Sequence, residues 1–247
     1  MSPDATLGNI RIVLCETSHP GNIGAAARAL KTMGLSQLVL VNPRRFPDPE
    51  AQWRASRATS VLDNARVCGS LDEALEGTMF SVACSARSRE IAVPAVTVRN
   101  AAAQLVDIAR THPVALVFGN ESSGLTTADV NKCRLVAAIP ANPEYSSLNV
   151  AAAVQVFTYE LRMAALSDEA PGSKPQVLAS HQDVEGFFGH LESTLSTTGF
   201  LDSEHPKKLM PRLRRLFSRT QLETDEVNIL RGILKTLANP RKRGQNK

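Results

Sequence analysis

The chain has 247 residues, 43% of them hydrophobic and 21% charged, which suits one sizeable core plus a smaller appendage and an ordinary globular balance. No apolar run approaches the ~20 residues of a bilayer-spanning helix and the first residues lack a signal-peptide pattern, so a cytoplasmic protein with no membrane partner is expected. The formal net charge of +4 is unevenly spread: residues 1–170 carry 15 Lys and Arg against 16 Asp and Glu, whereas residues 171–247 carry 13 against 8. Cys15, Cys68, Cys84 and Cys133 stand far apart with no CxxC pair and no histidine cluster, which argues against a disulfide framework and against a metal site.

In chain order, residues 10–14 (IRIVL) read as a buried strand. Residues 22–33 (NIGAAARALKTM) read as a helix with Asn22 as N-cap and Gly34 as its stop. Residues 38–41 are strand-like and lead into a turn-rich, basic stretch at 42–49. Apolar strands at 79–83, 114–118 and 135–139 alternate with helical patterns near 71–75, 101–110 and 127–132, and a helix over 148–163 closes this part. This alternation predicts an α/β fold, a mostly parallel sheet covered by helices on both faces. Linker composition follows at 167–175 (SDEAPGSKP). Helical patterns at 181–195, 206–220 and 225–237 then form either a small bundle or an arm packed on a partner. The expected organisation is an α/β domain over 1–166, a linker over 167–180, a small basic helical domain over 181–239 and a disordered basic tail over 240–247.

Three segments carry chemistry. In residues 17–30 (TSHPGNIGAAARAL) a strand ends in a glycine-bearing loop that opens a helix, an arrangement that offers amide groups and a positive helix end to an anion. The segment lacks the GxGxxG fingerprint, which disfavours a nicotinamide-dependent oxidoreductase. Arg28 projects a single charged fork from a run of alanines; a solvated helix face carries such arginines too. In residues 114–125 (VALVFGNESSGL) an apolar strand runs into Gly119, Asn120 and Glu121, where α/β sheets bind ligands, although these residues also suit a turn. Residues 139–160 begin with a proline- and serine-rich loop, in which Ser146 or Ser147 would cap the following helix while Asn149 stays without a structural reason.

Together and in this order, the segments resemble the three motifs of the SpoU/TrmH branch of the SPOUT superfamily of RNA 2′-O-methyltransferases. That pattern pairs Asn22 and Arg28 with Asn120, Glu121 and Gly124, and ends in Ser147, Leu148 and Asn149 at the head of the last helix. SHPGNIG, CSARSR at 84–89 and NPEYSSLN at 142–149 are similar to a tRNA-modifying group of that branch. The likeness is strong over about residues 8–164 and looser over 199–232. Asn120 stands where that group carries arginine, and Cys84 where threonine is commoner.

The resemblance implies a SPOUT-type fold with a C-terminal trefoil knot, a homodimer, and S-adenosylmethionine as cofactor. By matched position the cofactor falls to Cys84, Ser85, Ala86, Gly119, Ile139, Ser146, Ser147 and Leu148. The implied reaction is methyl transfer to a ribose 2′-hydroxyl, of cytidine or uridine at position 32 in a tRNA anticodon loop. A guanidinium is rarely deprotonated, so Arg28 is expected to hold phosphate and stabilise the developing alkoxide. Glu121 would orient Arg28 or accept the proton, with Asn22, Ser147 and Asn149 positioning ribose and phosphate. The RNA-binding set is Arg28, Arg87, Lys207, Lys208, Arg212, Arg214, Arg215 and Arg219, and the need for a 2′-hydroxyl speaks for tRNA over DNA. The rival readings are the same reaction on ribosomal RNA, and an RNA-binding protein that keeps the fold without catalysis.

Overall fold

The computed structural model describes residues 2–85, 95–167, 178–202 and 207–238. The chain divides into two compact units, Met1–Gly172 and Ser173–Lys247.

The first unit is built on seven strands: β1 Ile10–Cys15, β2 Gln37–Val41, β3 Arg66–Cys68, β4 Phe80–Cys84, β5 Ala95–Thr97, β6 Val114–Phe118 and β7 Leu135–Ala138. They lie in the order β3-β2-β1-β6-β4-β7-β5, and each of these pairings is parallel. The central strands read as continuous apolar runs because both faces of a parallel sheet are covered. On one face Ile12, Leu14, Leu40, Val82, Leu116 and Phe118 join a core with α2 (Pro20–Thr32), α6 (Val98–Ala109) and α8 (Val150–Leu166). On the other, Val13, Val39, Val41, Ala83 and Val117 pack with residues of α5 (Leu71–Leu75) and α7 (Thr127–Lys132).

Elements absent from the sequence reading are short: α1 (Pro3–Leu7), α3 (Pro49–Ala55), α4 (Thr59–Asp63), β3 and β5. None is long enough to display a period, and the loop expected at 42–49 runs into α3, where Asp48 caps the amide of Glu50 and Pro49 opens the helix.

Two helix starts differ from expectation. Asn22 is not the N-cap of α2: the helix begins at Pro20, and His19 accepts the Gly21 amide. Proline at the first helical position fits because the missing N–H is unpaired there anyway. Neither Ser146 nor Ser147 caps α8. Asn149 does, its side chain accepting the Ala151 amide 2.9 Å away, so the residue without an assigned reason is the cap. Gly34 stops α2 as expected, in the left-handed region at φ +84°.

The second unit contains α9 (His181–Thr197), α10 (Leu209–Ser218) and α11 (Thr224–Ala238). Phe187, Phe188, Leu191, Val227 and Leu234 form its core, with Phe217 of α10 edge-on to Phe187 at 4.9 Å between ring centroids. Residues before α9 also belong to it: Leu178 bridges Glu223, and Ser180 caps α9 through the Asp183 amide. Residues 178–180, expected as linker, therefore belong to this unit. The expected helix at 206–220 starts later, at Leu209.

Gly24 sets how α2 meets α3. A Cβ there would lie 2.1 Å from the Ala51 carbonyl oxygen and 2.9 Å from the Arg54 Cβ. Alanine is the better helix former by about 1 kcal/mol, but overpacking two helices costs about 1–3 kcal/mol. Gly24→Ala should therefore lower the urea unfolding midpoint; a midpoint equal to or above that of the unaltered protein would mean that the close approach is dispensable.

Candidate active site

The carboxyl ends of β4, β6 and β7 open onto a cleft with a mixed polar and apolar lining, at the edge of the sheet where α/β folds place their ligands. Of the residues matched to the cofactor, Cys84, Ser85, Gly119, Ile139, Ser146, Ser147 and Leu148 all line this cleft. Ala86, like Arg87 of the RNA-binding set, lies outside the described residues. Phe118, Leu125, Val150, Ala153 and Phe157 also line it and were missed. Their apolar character reads as core in the sequence, because a core residue and a cavity wall demand the same side chains.

The floor of the cleft depends on glycine. After β6 the chain doubles back so closely that a Cβ on Gly119 would sit 2.1 Å from the Gly124 carbonyl carbon and the Leu125 nitrogen. Gly124 makes the turn at φ +69°, and its amide donates to the Asn120 carbonyl at 2.8 Å. Asn120 ties this loop to the end of β1. Its Nδ2 donates to the Glu16 carbonyl at 2.7 Å, and its Oδ1 accepts from the Ser122 amide and hydroxyl at 2.9 and 2.7 Å.

Glu121 connects the motifs. Its Oε2 accepts from the Ser18 amide and hydroxyl, both at 2.9 Å, and its Oε1 accepts from Asn22 Nδ2 at 2.8 Å and from the His19 amide at 3.3 Å. Asn22 Oδ1 in turn accepts from Asn149 Nδ2 at 2.9 Å. Desolvation raises the Glu121 pKa, but donors from Asn22 and Ser18 outweigh it and hold the carboxyl at about 2. This differs from the sequence expectation in two ways. Glu121 grips the start of α2 rather than Arg28, and a carboxylate this acidic is a poor proton acceptor. The segment read in the sequence as open to an anion holds this one, through the Ser18 and His19 amides just before α2 and the Asn22 side chain within it. Ser18 and His19 were not singled out, and the only signal for them was their place in the SHPGNIG segment.

Arg28 lies on α2 beyond Asn22, exposed, and no described residue pairs with its guanidinium. The Lys and Arg residues chosen in the second unit divide. Arg212 and Arg215 on α10 and Arg219 at its C-cap are exposed, and Lys207 and Lys208 precede the helix, exposed. Arg214 faces inward instead. It makes a two-pronged ion pair with Glu185 at 2.6 and 2.8 Å and lies 4.3 Å from the centroid of the Phe188 ring. Among the described residues no group of three His, Cys, Asp or Glu could hold a metal ion, and no helix is long and apolar enough to cross a membrane.

Residues 9–159 match the SpoU rRNA Methylase family, and residues 182–247 match the C-terminal domain of the tRNA methyltransferase TrmJ. The TrmJ of Salmonella typhimurium is 49% identical over 244 residues, covering 96% of this chain and 99% of the relative. The TrmJ of Shigella dysenteriae is 50% identical over 242 residues, 96% of this chain and 98% of the relative. Among solved structures, TrmJ from Z. mobilis superposes with a TM-score of 0.80 at 34% identity, covering 92% of this chain and 98% of that one. The chain belongs to the SpoU rRNA methylase family, in its TrmJ group.

Proposed function

We propose that the chain is an S-adenosylmethionine-dependent methyltransferase acting on the ribose 2′-oxygen of a cytidine or uridine in tRNA, at position 32 of the anticodon loop. The observation that carries this reading is the joining of three distant segments through Asn22, Glu121 and Asn149 at the edge of one cleft, with Arg28 on the same helix as Asn22. The relatives at 49–50% identity are named tRNA (cytidine/uridine-2'-O-)-methyltransferase TrmJ. Methylation of ribosomal RNA is the second reading, favoured by the family's name alone. Mass spectrometry of nucleosides from tRNA and from ribosomal RNA, each incubated with protein and cofactor, separates the two. Methyl groups in ribosomal RNA only would overturn the tRNA assignment.

The cleft suits a cofactor of mixed polarity. Ile139, Leu148 and Phe157 offer an apolar wall, and Ser85, Ser122 and Ser146 a polar one, above a floor where only Gly119 fits. The seven matched lining residues, with Ala86, would hold it. Bound there, S-adenosylmethionine supplies a methyl group on a positively charged sulfur. Arg28 then holds a neighbouring phosphate and stabilises charge developing on the 2′-oxygen, which lets water take the proton. Asn22, Ser147 and Asn149 orient the ribose, and Glu121 keeps Asn22 and the start of α2 in place. A homodimer belongs to this reading, supported by the exposed stripe of Tyr159, Met163 and Leu166 on α8, and sedimentation velocity tests it. The family's trefoil knot and a cytoplasmic location also belong to it.

Three expectations follow from these roles. Arg28→Ala should lower single-turnover methylation by ~10²-fold with cofactor affinity nearly unchanged, and Arg28→Lys should recover little, because an ammonium lacks the planar fork. Calorimetry beside rapid-quench kinetics reads both, and near-normal turnover in Arg28→Ala would remove its catalytic role. Glu121 sits below the ordinary glutamate value of 4.5, so its stabilising contribution is full above about that pH and is lost as pH falls toward about 2. Urea midpoints should therefore drop more steeply across that window in the unaltered protein than in Glu121→Gln; parallel curves would show that the clamp does not stabilise the fold. Replacing Arg212, Arg215 and Arg219 by alanine should weaken tRNA binding and flatten its salt dependence, whereas Arg214→Ala should chiefly lower the melting temperature. Equal effects on binding from both changes would erase the distinction between the faces.

A further inference from the structure

The chain has a single tryptophan, and it is out in the solvent: Trp53, on α3, is 78% exposed. One exposed apolar side chain needs no explanation by itself. Its neighbours in the chain do. Arg54 follows it, Arg57 lies in the 3-10 turn just beyond, and Arg44 and Arg45 stand on the loop before α3, all exposed.

The acids of this segment are already engaged. Asp48 pairs with Arg45 at 2.8 Å and caps α3, and Glu50 lies 3.7 Å from His19. Arg44, Arg54 and Arg57 consequently have no carboxylate partner among the described residues. Three guanidiniums without a carboxylate partner, on the same short stretch of chain as a bare indole, give that stretch a chemistry that is neither that of a protein core nor that of a balanced solvated face.

The surface is also fixed to the helix that carries Arg28. Gly21 faces Glu50, and Gly24 faces Ala51 and Arg54, so α3 lies along the first two turns of α2. Lys31, one turn beyond Arg28, donates to the Arg57 carbonyl at 2.9 Å. The Arg44 amide donates to the Thr17 carbonyl at 3.1 Å, next to the Ser18 that Glu121 holds. Trp53 and its arginines are thus braced against the same helix as the proposed catalytic arginine.

We propose that Trp53, Arg54, Arg57 and Arg44 form a landing surface for the RNA strand beside the methylated nucleotide, an unstacked base lying on the indole and its phosphates on the guanidiniums. This extends the tRNA-methylation reading and rests on it. Every base has a π-face, so such a contact tolerates sequence while demanding an unpaired nucleotide. Free cations beside an aromatic match a polyanion carrying flat, apolar bases, and they oppose a second copy of the same basic surface.

Because Trp53 is the only tryptophan, it reports its own occupancy. Titration of the protein with an unmodified tRNA should quench its emission in step with filter binding. Trp53→Ala should raise KM for tRNA about tenfold, within the range for losing one base stack, with a far smaller effect on kcat and with cofactor affinity unchanged. Trp53→Phe should recover most of the loss, which a merely structural residue at this exposed position would not do. If tRNA binds and is methylated while emission stays constant and Trp53→Ala keeps its KM, the surface is unused and the proposal falls while the methylation reading stands. Emission that changes with protein concentration alone would assign the face to self-association and overturn the proposal. If nucleoside mass spectrometry finds no methylated tRNA and emission is constant, both fall together.

Discussion

One carboxylate organises the proposed site. Glu121 comes from the loop after β6, and its four donors come from Ser18, His19 and Asn22, about a hundred residues earlier in the chain. The bonds place a negative charge beside the N-terminal end of α2, which is the favourable end of a helix for an anion. They also orient Asn22, whose oxygen then fixes Asn149, itself occupied in capping α8. Glu121 and Asn149 each bind backbone amides as well as Asn22, and Asn22 joins the two, so the start of α2, the loop after β6 and the start of α8 are held together.

Much of this architecture was legible in the sequence. Strands β1, β2, β4, β6 and β7 are buried on both faces and so appear as unbroken apolar runs, and α5 and α7 match their expected bounds. The site segments were legible because glycine, asparagine and serine cluster after those runs. What stayed hidden has physical causes. Whether Asn22 or His19 caps α2 turns on a proline at the first helical position, which the loop reading absorbed. The role of Glu121 rests on contacts across the fold, and no local pattern encodes those. Arg214 and Arg215 are adjacent arginines on one amphipathic helix, and only the position of Glu185 and Phe188 tells that one is internal. Trp53 sits in a helix of seven residues, too short to show which way it faces.

Both units share an electrostatic habit. Their carboxylates near exposed arginines are committed to internal work: Asp48 caps a helix, Glu121 holds α2, and Glu185 anchors Arg214. The arginines that remain are left to solvent without a local partner, Arg28, Arg54 and Arg57 in one unit and Arg212, Arg215 and Arg219 in the other. Net charge understates this, because the first 170 residues carry one more acid than base in total. Selective occupation of the acids turns a near-neutral domain into one with a positive face.

The span of the hydrogen bonds also has a history in the life of each molecule. Asn149 meets Asn22 across 127 residues, and Glu121 meets Ser18 across 103. During synthesis at roughly 5–20 residues per second, α2 emerges several seconds before the carboxylate that will hold it exists. Through that interval the Ser18 and His19 amides lack their acceptor and α2 has no α8 to pack against. The site is thus completed late, only after Glu121 and then Asn149 have been made.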